Sequence, residues 1–273
     1  MSAGNDRYYL SEAEKKQFHE EGYLIAKGLF QPDEVAEIKE TFMRIQAEGV
    51  LPGYFEPASP EEAKGDPLKL FPRILYPHRV IGRAKSYMLH PPVMALLKEL
   101  FQEEALAAQS MFYFKPPGGR GQALHQDNYY LRVEPGTCIA AWTAIDPADQ
   151  ENGGLVIVPR TQNLDIECPH EADPALSYFR DEVNLPEGGR IVPVDMEAGD
   201  VLFFNGSTIH GSYPNRSAER FRRSFICHYV GSSTLRIGYH IHDDLYNGQG
   251  EVVNRAKTES PGACGNEFEG APH

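Results

Sequence analysis

Cysteine is scarce in this sequence: Cys138, Cys168, Cys227 and Cys264 are the only four, and no two share a CxxC spacing. Scattered in this way they argue against a zinc ribbon or a disulfide-built fold. The pattern is that of reduced thiols, and a cytoplasmic location is expected from it. Long apolar runs are also missing. No stretch approaches the roughly 20 residues that cross a bilayer as a helix. Met1–Leu10 has no apolar segment between basic and small-residue flanks, so no secretory leader is expected. Positive charge is in deficit, with 26 Lys and Arg against 39 Asp and Glu and a formal net charge of −13. Such a field repels phosphate backbones and anionic lipid, which disfavours nucleic acid or a membrane as partner. The remaining composition, 41% hydrophobic and 24% charged, is apolar enough for a core and too weakly charged for disorder.

The first third of the chain carries helical signals. Ser11 followed by Glu14 is a capping box, with Leu10 placed as a staple. Pro32 opens a second helix in which Val35, Ile38, Phe42 and Ile45 recur at helical spacing, with Gly49 as the stop. Residues 51–70 mix Pro, Gly, Glu and Lys and are expected to be loop. Pro92–Phe101 predicts a short helix with Val93, Leu96, Leu97 and Leu100 on one side. After Ala107 the texture changes to short β-branched and aromatic runs between Gly, Pro and Asp: Met111–Phe114, Cys138–Ile145, Gly154–Pro159, Val201–Phe204 and Phe225–Val230. Many short strands so punctuated predict a sandwich or barrel. No repeat or linker divides the chain. One domain over residues 1–273 is expected, with helices over about 10–105, a β core over about 107–235 and a loop-like tail from Asn247.

His125-Gln126-Asp127 comes after the Gly-rich segment Pro116–Gly121. On a strand, residues i and i+2 face the same way, so an imidazole and a carboxylate converge on one point. His210, after the Gly199-Asp200 turn and the buried run Val201–Phe204, is placed to add a third ligand. Two histidines and one carboxylate leave an octahedral face open, which suits Fe(II) that must take both a co-substrate and O2. H-x-D alone is a short pattern, and His242-Asp243-Asp244, near His240, is a second match. The only histidine beyond that second match is His273, in the tail, so it lacks a third ligand and is expected to be a solvated cluster. The first match is set apart by the residues downstream of His210: Gly211-Ser212, Asn215, then Arg222-Arg223. Arginine offers a planar fork for a carboxylate. In the strand pattern around Phe221–Val230, one of the two arginines should face inward and the other outward.

These residues resemble the phytanoyl-CoA dioxygenase family of Fe(II)/2-oxoglutarate oxygenases. The likeness runs from about Leu10 to Val230 and rests on several segments. They are Ser11–Phe30 with its Glu21-Gly22-Tyr23-Leu24 stretch; Lys115-Pro116-Pro117 ahead of Leu124-His125-Gln126-Asp127; Ala141–Ile145 with Asn152-Gly153-Gly154-Leu155 and Pro159; and His210-Gly211-Ser212 with Phe221-Arg222. The resemblance implies a mainly β fold with flanking helices, the double-stranded β-helix or cupin-like jelly roll. It implies iron held by His125, Asp127 and His210. It further implies 2-oxoglutarate bound by Arg222, with Met111, Gln126, Trp142 and Ser212 lining its pocket. The interval from His210 to Arg222 is one residue longer than the family pattern, so Arg223 competes for the role, and Phe221 favours Arg222. Arg73, in Phe71-Pro72-Arg73-Ile74, is a further basic candidate. Halogenating relatives carry a small residue where Asp127 stands. The retained carboxylate favours hydroxylation or a related oxidation over halogenation, and hydroxylation of a C–H bond with O2, releasing succinate and CO2, is expected.

Two other functions fit the same scaffold: a cupin-like metal-dependent isomerase and a non-catalytic binding protein. An isomerase has no need of an arginine clamp for 2-oxoglutarate, and a binding protein no need of intact ligands. Tyr129 and Tyr130 are candidates for substrate contact, with core packing as the alternative, and Trp142 stands between shaping the pocket and being an ordinary buried aromatic. Arg120 and Arg132 are candidates for contact with an anionic substrate, but solvated surface charge is the expectation for both. No further basic cluster offers itself to the phosphates of CoA, so a small or medium organic substrate is favoured over an acyl-CoA. No oligomeric state can be read from the sequence.

Overall fold

The computed structural model describes residues 9–242, 244–259 and 264–265; the expectations for residues 1–8 and for Asp243 and His273 lie outside them. Helices form where the 3.6-residue period is strongest. α1 (Glu12–Glu21) starts on the Ser11–Glu14 capping box, with both reciprocal bonds made, and ends at Gly22 in the left-handed conformation. α2 (Pro32–Glu48) buries Val35, Ile38, Thr41 and Phe42 and stops at Gly49. Within residues 51–70, expected as loop, two single turns form, α3 (Pro60–Ala63) and α4 (Pro67–Leu70). Each begins with Pro behind a capping side chain, Ser59 or Asp66, a signal sufficient for one turn but too short to show periodicity. Next come α5 (Gly82–Met88) and α6 (Pro91–Phe101), and α6 buries Val93, Leu96, Leu97 and Leu100 as its spacing predicts. α7 (Asp127–Leu131) interrupts the β half.

The strands in chain order are β1 (Tyr23–Ala26), β2 (Ile74–Leu75), β3 (Ala105–Tyr113), β4 (Gln122–His125), β5 (Ile139–Ala144), β6 (Leu155–Ile157), β7 (His170–Glu171), β8 (Asp181–Glu182), β9 (Val192–Val194), β10 (Val201–Asn205), β11 (His210–Ser212), β12 (Ser224–Gly231), β13 (Arg236–Ile237), β14 (Leu245–Tyr246), β15 (Val252–Val253) and β16 (Ala256–Lys257). The larger sheet runs β1-β10-β5-β12-β3-β14-β15, with β2 also on β3; the smaller runs β4-β11-β6-β9. Facing each other, they make the jelly roll. β1 lies in the helical third yet forms the edge of the larger sheet, and the tail expected as loop contributes β15 and β16.

The central strands of the larger sheet are covered on both faces, which is why they read as unbroken apolar runs. On β5, Ile139 and Ala141 join the helix-side core with Ile38, Phe42 and Leu97. Ala140, Trp142 and Ala144 face the smaller sheet and its Leu155 and Ile157. β10 and β12 alternate likewise, with Phe203 and Phe225 outward and Leu202, Phe204 and Ile226 inward. Phe42 stacks on Phe112 with centroids 4.0 Å apart, seating α2 on the sheet; truncating such a buried aromatic costs about 3–5 kcal/mol.

The cysteine expectation is corrected. Cys168 and Cys264 form a disulfide across 96 positions, and the free thiols are Cys138 and Cys227, both buried. Pairing depends on Cα proximity, here 5.5 Å, which sequence spacing does not report. The cytoplasmic expectation loses the ground it had in four reduced thiols. Among the described residues, no helix is long and apolar enough to cross a membrane.

Candidate active site

His125 ends β4 and His210 begins β11, and the two are direct cross-strand partners with ring centroids 4.1 Å apart. Asp127 Oδ1 lies 3.6 Å from Nε2 of each. All three residues are buried, and one ligand atom from each falls within 4.8 Å of the others. Asp127 does not reach the imidazoles through the pleat of a strand. The chain leaves β4 at Gln126 and Asp127 opens α7, so a strand-to-helix turn delivers the carboxylate.

The ring orientations are fixed from behind. Nδ1 of His125 donates to the Ala123 carbonyl at 2.9 Å, and Nδ1 of His210 to the Thr208 carbonyl at 3.0 Å. A carbonyl only accepts, so Nδ1 carries the proton and the Nε2 lone pairs face Asp127. Burial, and then the neighbouring His210, lowers the His125 pKa to about 3, so the ring is neutral at physiological pH. The other Asp127 oxygen accepts from His228 Nε2 at 3.0 Å. The neutral His125 ring, the His210 imidazole and one buried carboxylate, convergent and held from outside, fit a divalent iron with open coordination positions.

The cavity over this trio, about 430 Å³ with its mouth included, has Met111, Trp142 and Ile226 along one wall. These are cross-strand neighbours on β3, β5 and β12. Ser212 and Arg222 line it as well, together with Gln122, Tyr113 and Tyr178. Gln122 holds its amide nitrogen 3.1 Å from His125 Nε2 and accepts from the Tyr178 hydroxyl at 2.7 Å.

The two arginines part as strand alternation requires. Arg222 is 3% exposed. Its Nε donates to the Gly153 carbonyl at 3.0 Å, its Nη1 donates to Ser224 Oγ at 2.8 Å, and its guanidinium carbon lies 5.3 Å from the centre of the Trp142 ring. No carboxylate among the described residues pairs with it, and burial lowers its pKa to about 10. Arg223 turns to the opposite face and forks onto Asp146 at 2.6 and 3.1 Å. The longer interval after His210 therefore leaves Arg222 as the cavity arginine.

Met111, Trp142 and Ser212 lie where the resemblance implies, on the cavity wall. Gln126 does not. Its amide donates to the Ser207 carbonyl at 2.9 Å and accepts from the Glu167 N–H at 2.8 Å, so it pins a surface connection and faces away from the cavity. The turn into α7 that brings Asp127 inward sends Gln126 outward. Tyr129 and Tyr130 sit on α7 in a separate apolar cluster, with the Tyr130 hydroxyl on Asp181 at 2.8 Å. Arg73 donates to the Tyr113 hydroxyl at 3.1 Å, at the cavity wall. Arg120, expected to be solvated, pairs with Asp66 at 2.8 Å, while Arg132 lies over the Tyr239 ring. In the rival element His242 meets Tyr76 edge-on and Asp244 pairs with Arg79, and no metal-holding trio among the described residues includes them. No motif in the sequence assigns a site role to Gln122, Tyr178 or His228, and Lys115 stands out only as part of Lys115-Pro116-Pro117. His228 was findable, since 222, 224, 226 and 228 share one face of the strand pattern; Tyr178 lies in a connection without periodicity.

The family model for phytanoyl-CoA dioxygenase matches residues 18–224. The chain is 30% identical over 248 residues to the peroxisomal phytanoyl-CoA dioxygenase of Mus musculus, covering 84% of this chain and 70% of that protein. Among solved structures it is similar to the epimerase SnoN in complex with Fe3+, alpha ketoglutarate and nogalamycin RO, with a TM-score of 0.67, 19% identity and 82% and 84% of the two chains covered. It is also similar to EctD from S. alaskensis with 2-oxoglutarate and 5-hydroxyectoine, with a TM-score of 0.67, 19% identity and coverage of 86% and 80%. The chain belongs to the phytanoyl-CoA dioxygenase family and is a non-haem iron enzyme that works with 2-oxoglutarate.

Proposed function

We propose that the protein hydroxylates a C–H bond of a small or medium organic molecule, consuming 2-oxoglutarate and O2 and releasing succinate and CO2. One observation carries this: the buried His125–Asp127–His210 trio shares its cavity with Arg222, a buried cation that no described carboxylate neutralises. A guanidinium buried without a counter-charge is unfavourable. A dicarboxylate whose 2-oxo acid end lies at the trio and whose far end meets the Arg222 fork answers both features. Bound iron supplies the activation of O2 and the oxidation itself.

The chain's own residues bind, orient and exclude water. The carbonyls of Ala123 and Thr208 hold the two imidazoles with Nε2 toward the metal position, and His228 holds the outer oxygen of Asp127 so that the inner one faces it. Met111 and Trp142 shield the co-substrate, while Arg222 and Ser212 hold its far carboxylate. Arg73, bonded to Tyr113 at the cavity wall, is the candidate for contact with a further anionic group.

The test is a screen for substrate-dependent succinate release with Fe(II) and 2-oxoglutarate, then mass analysis of the product made under ¹⁸O2. Hydroxylation predicts one labelled oxygen in the product. Succinate release with an unlabelled product would replace hydroxylation by epimerisation or ring closure. If 2-oxoglutarate neither binds nor turns over, the isomerase becomes the better account.

A further inference from the structure

Lys115 is buried as deeply as Arg222, at 2% exposure, and no carboxylate among the described residues pairs with it. Its ammonium meets three oxygens instead: Ser212 Oγ at 2.8 Å, the Tyr213 carbonyl at 2.5 Å and the Gly153 carbonyl at 3.2 Å. Three protons on three acceptors leave none for a ligand. The residue is also locked to Arg222. The Gly153 carbonyl that accepts from Lys115 accepts from Arg222 Nε as well, and the Lys115 carbonyl accepts from the Arg222 backbone N–H at 3.1 Å. Lys115 adopts φ +35, in the region usually left to glycine, a strain tolerated where the surroundings fix it. Gly153 has φ +90, and a Cβ there would come 2.8 Å from Lys115 Cδ, so this glycine makes room for the lysine stem.

The consequence falls on Ser212. A serine hydroxyl has two lone pairs and one proton. Here one lone pair takes Lys115 Nζ and the other takes the backbone N–H of Gln122 at 3.2 Å. With both acceptor positions filled, the hydroxyl can only donate, and Ser212 lines the cavity together with Arg222. We propose that Lys115 is a positioning residue for the co-substrate: it commits the Ser212 hydroxyl to donating to the far carboxylate held by Arg222, and sets a second positive charge behind that carboxylate. This rests on the assignment of 2-oxoglutarate to the cavity. Burial, and then Arg222, pushes the Lys115 pKa well below its ordinary value; a dianion in front of both cations favours the charged form.

The experiment is an anaerobic titration of Fe(II)-loaded protein, read by the metal-to-ligand charge-transfer band. The probes are 2-oxoglutarate and 2-oxopentanoate, the same carbon chain without the far carboxylate. Lys115→Met should weaken 2-oxoglutarate about tenfold or more, the scale of one hydrogen bond to a charged group, and leave 2-oxopentanoate within about twofold. The losses from Lys115→Met and Ser212→Ala should not add in the double variant, because both remove the same bond. Thermal unfolding checks the fold of each variant. If Lys115→Met does not fold, Lys115→Gln takes its place; it keeps a donor and removes only the charge, so a smaller loss, still confined to 2-oxoglutarate, is expected. A folded variant that binds 2-oxoglutarate like the wild type, or that loses both oxo acids equally, overturns the proposal. A wild type without a charge-transfer band overturns the co-substrate assignment itself.

Discussion

His125, Asp127 and His210 each present one ligand atom to a common point while their other polar atoms are engaged by Ala123, His228 and Thr208. Replacing any one by Ala should abolish stable iron binding, measured as iron per chain after anaerobic reconstitution. Normal iron content in His210→Ala would sink the trio. His242→Ala should leave iron per chain unchanged, since no trio forms there among the described residues. Arg222→Ala removes a buried charged partner, a loss of about 2–5 kcal/mol, so the Kd for 2-oxoglutarate should rise roughly 30-fold or more. Arg222→Lys should recover only part of this, because a point charge does not reproduce the fork. Arg223→Ala should change that Kd by less than about twofold, its guanidinium being engaged by Asp146 on the opposite face. Equal sensitivity at both positions would show that the two side chains do not part at the strand.

Between elements, Asp146 joins Lys39 of α2 to Arg223 at the entry to β12. Burial acts to raise its pKa, but the bonds from Arg223 and Lys39 outweigh burial and hold the carboxyl below its ordinary value of 3.8. A carboxylate with a lower pKa folded than unfolded contributes stability above the unfolded value, and that contribution disappears as pH falls through the folded value. Asp146→Asn should therefore destabilise the protein by about 2 kcal/mol at pH 7, the scale of hydrogen bonds to a charged group. The gap between variant and wild type should narrow once the pH drops below about 4, where the free carboxyl protonates. Urea midpoints at pH 7 and pH 3 measure it, and a gap that stays constant would contradict the linkage.

At the scale of the molecule, the Cys168–Cys264 bond ties the tail to the connection that Gln126 also holds through Glu167. Cross-linking residues 96 positions apart restricts the unfolded chain, and loss of such a bond costs about 2–4 kcal/mol. Cys168→Ser should lower the Tm by roughly 5–10 °C. Reductant should produce the same shift in the wild type and none in the variant. A wild-type Tm indifferent to reductant would mean that the bond is not made.

Features that act within one turn or one pleat were legible in the sequence: the Ser11 cap, the faces of α2 and α6, the strands β3, β5, β10 and β12, and the ligand types His125, Asp127 and His210 with an arginine behind them. The cap, helix faces and strands have local causes (sterics, capping and periodicity), which a short window contains in full. The ligand types are legible through H-x-D and the family resemblance, while the turn into α7, not a strand pleat, delivers Asp127. The tertiary structure decided the rest. It sent Gln126 outward by turning the chain into α7, set Arg222 rather than Arg223 in the cavity, paired Cys168 with Cys264, and placed Lys115 against Ser212 across 97 positions. Each of these depends on which strands lie side by side and in what register. Register is fixed by burial of both faces of the larger sheet at once, a condition that no single segment of the chain states.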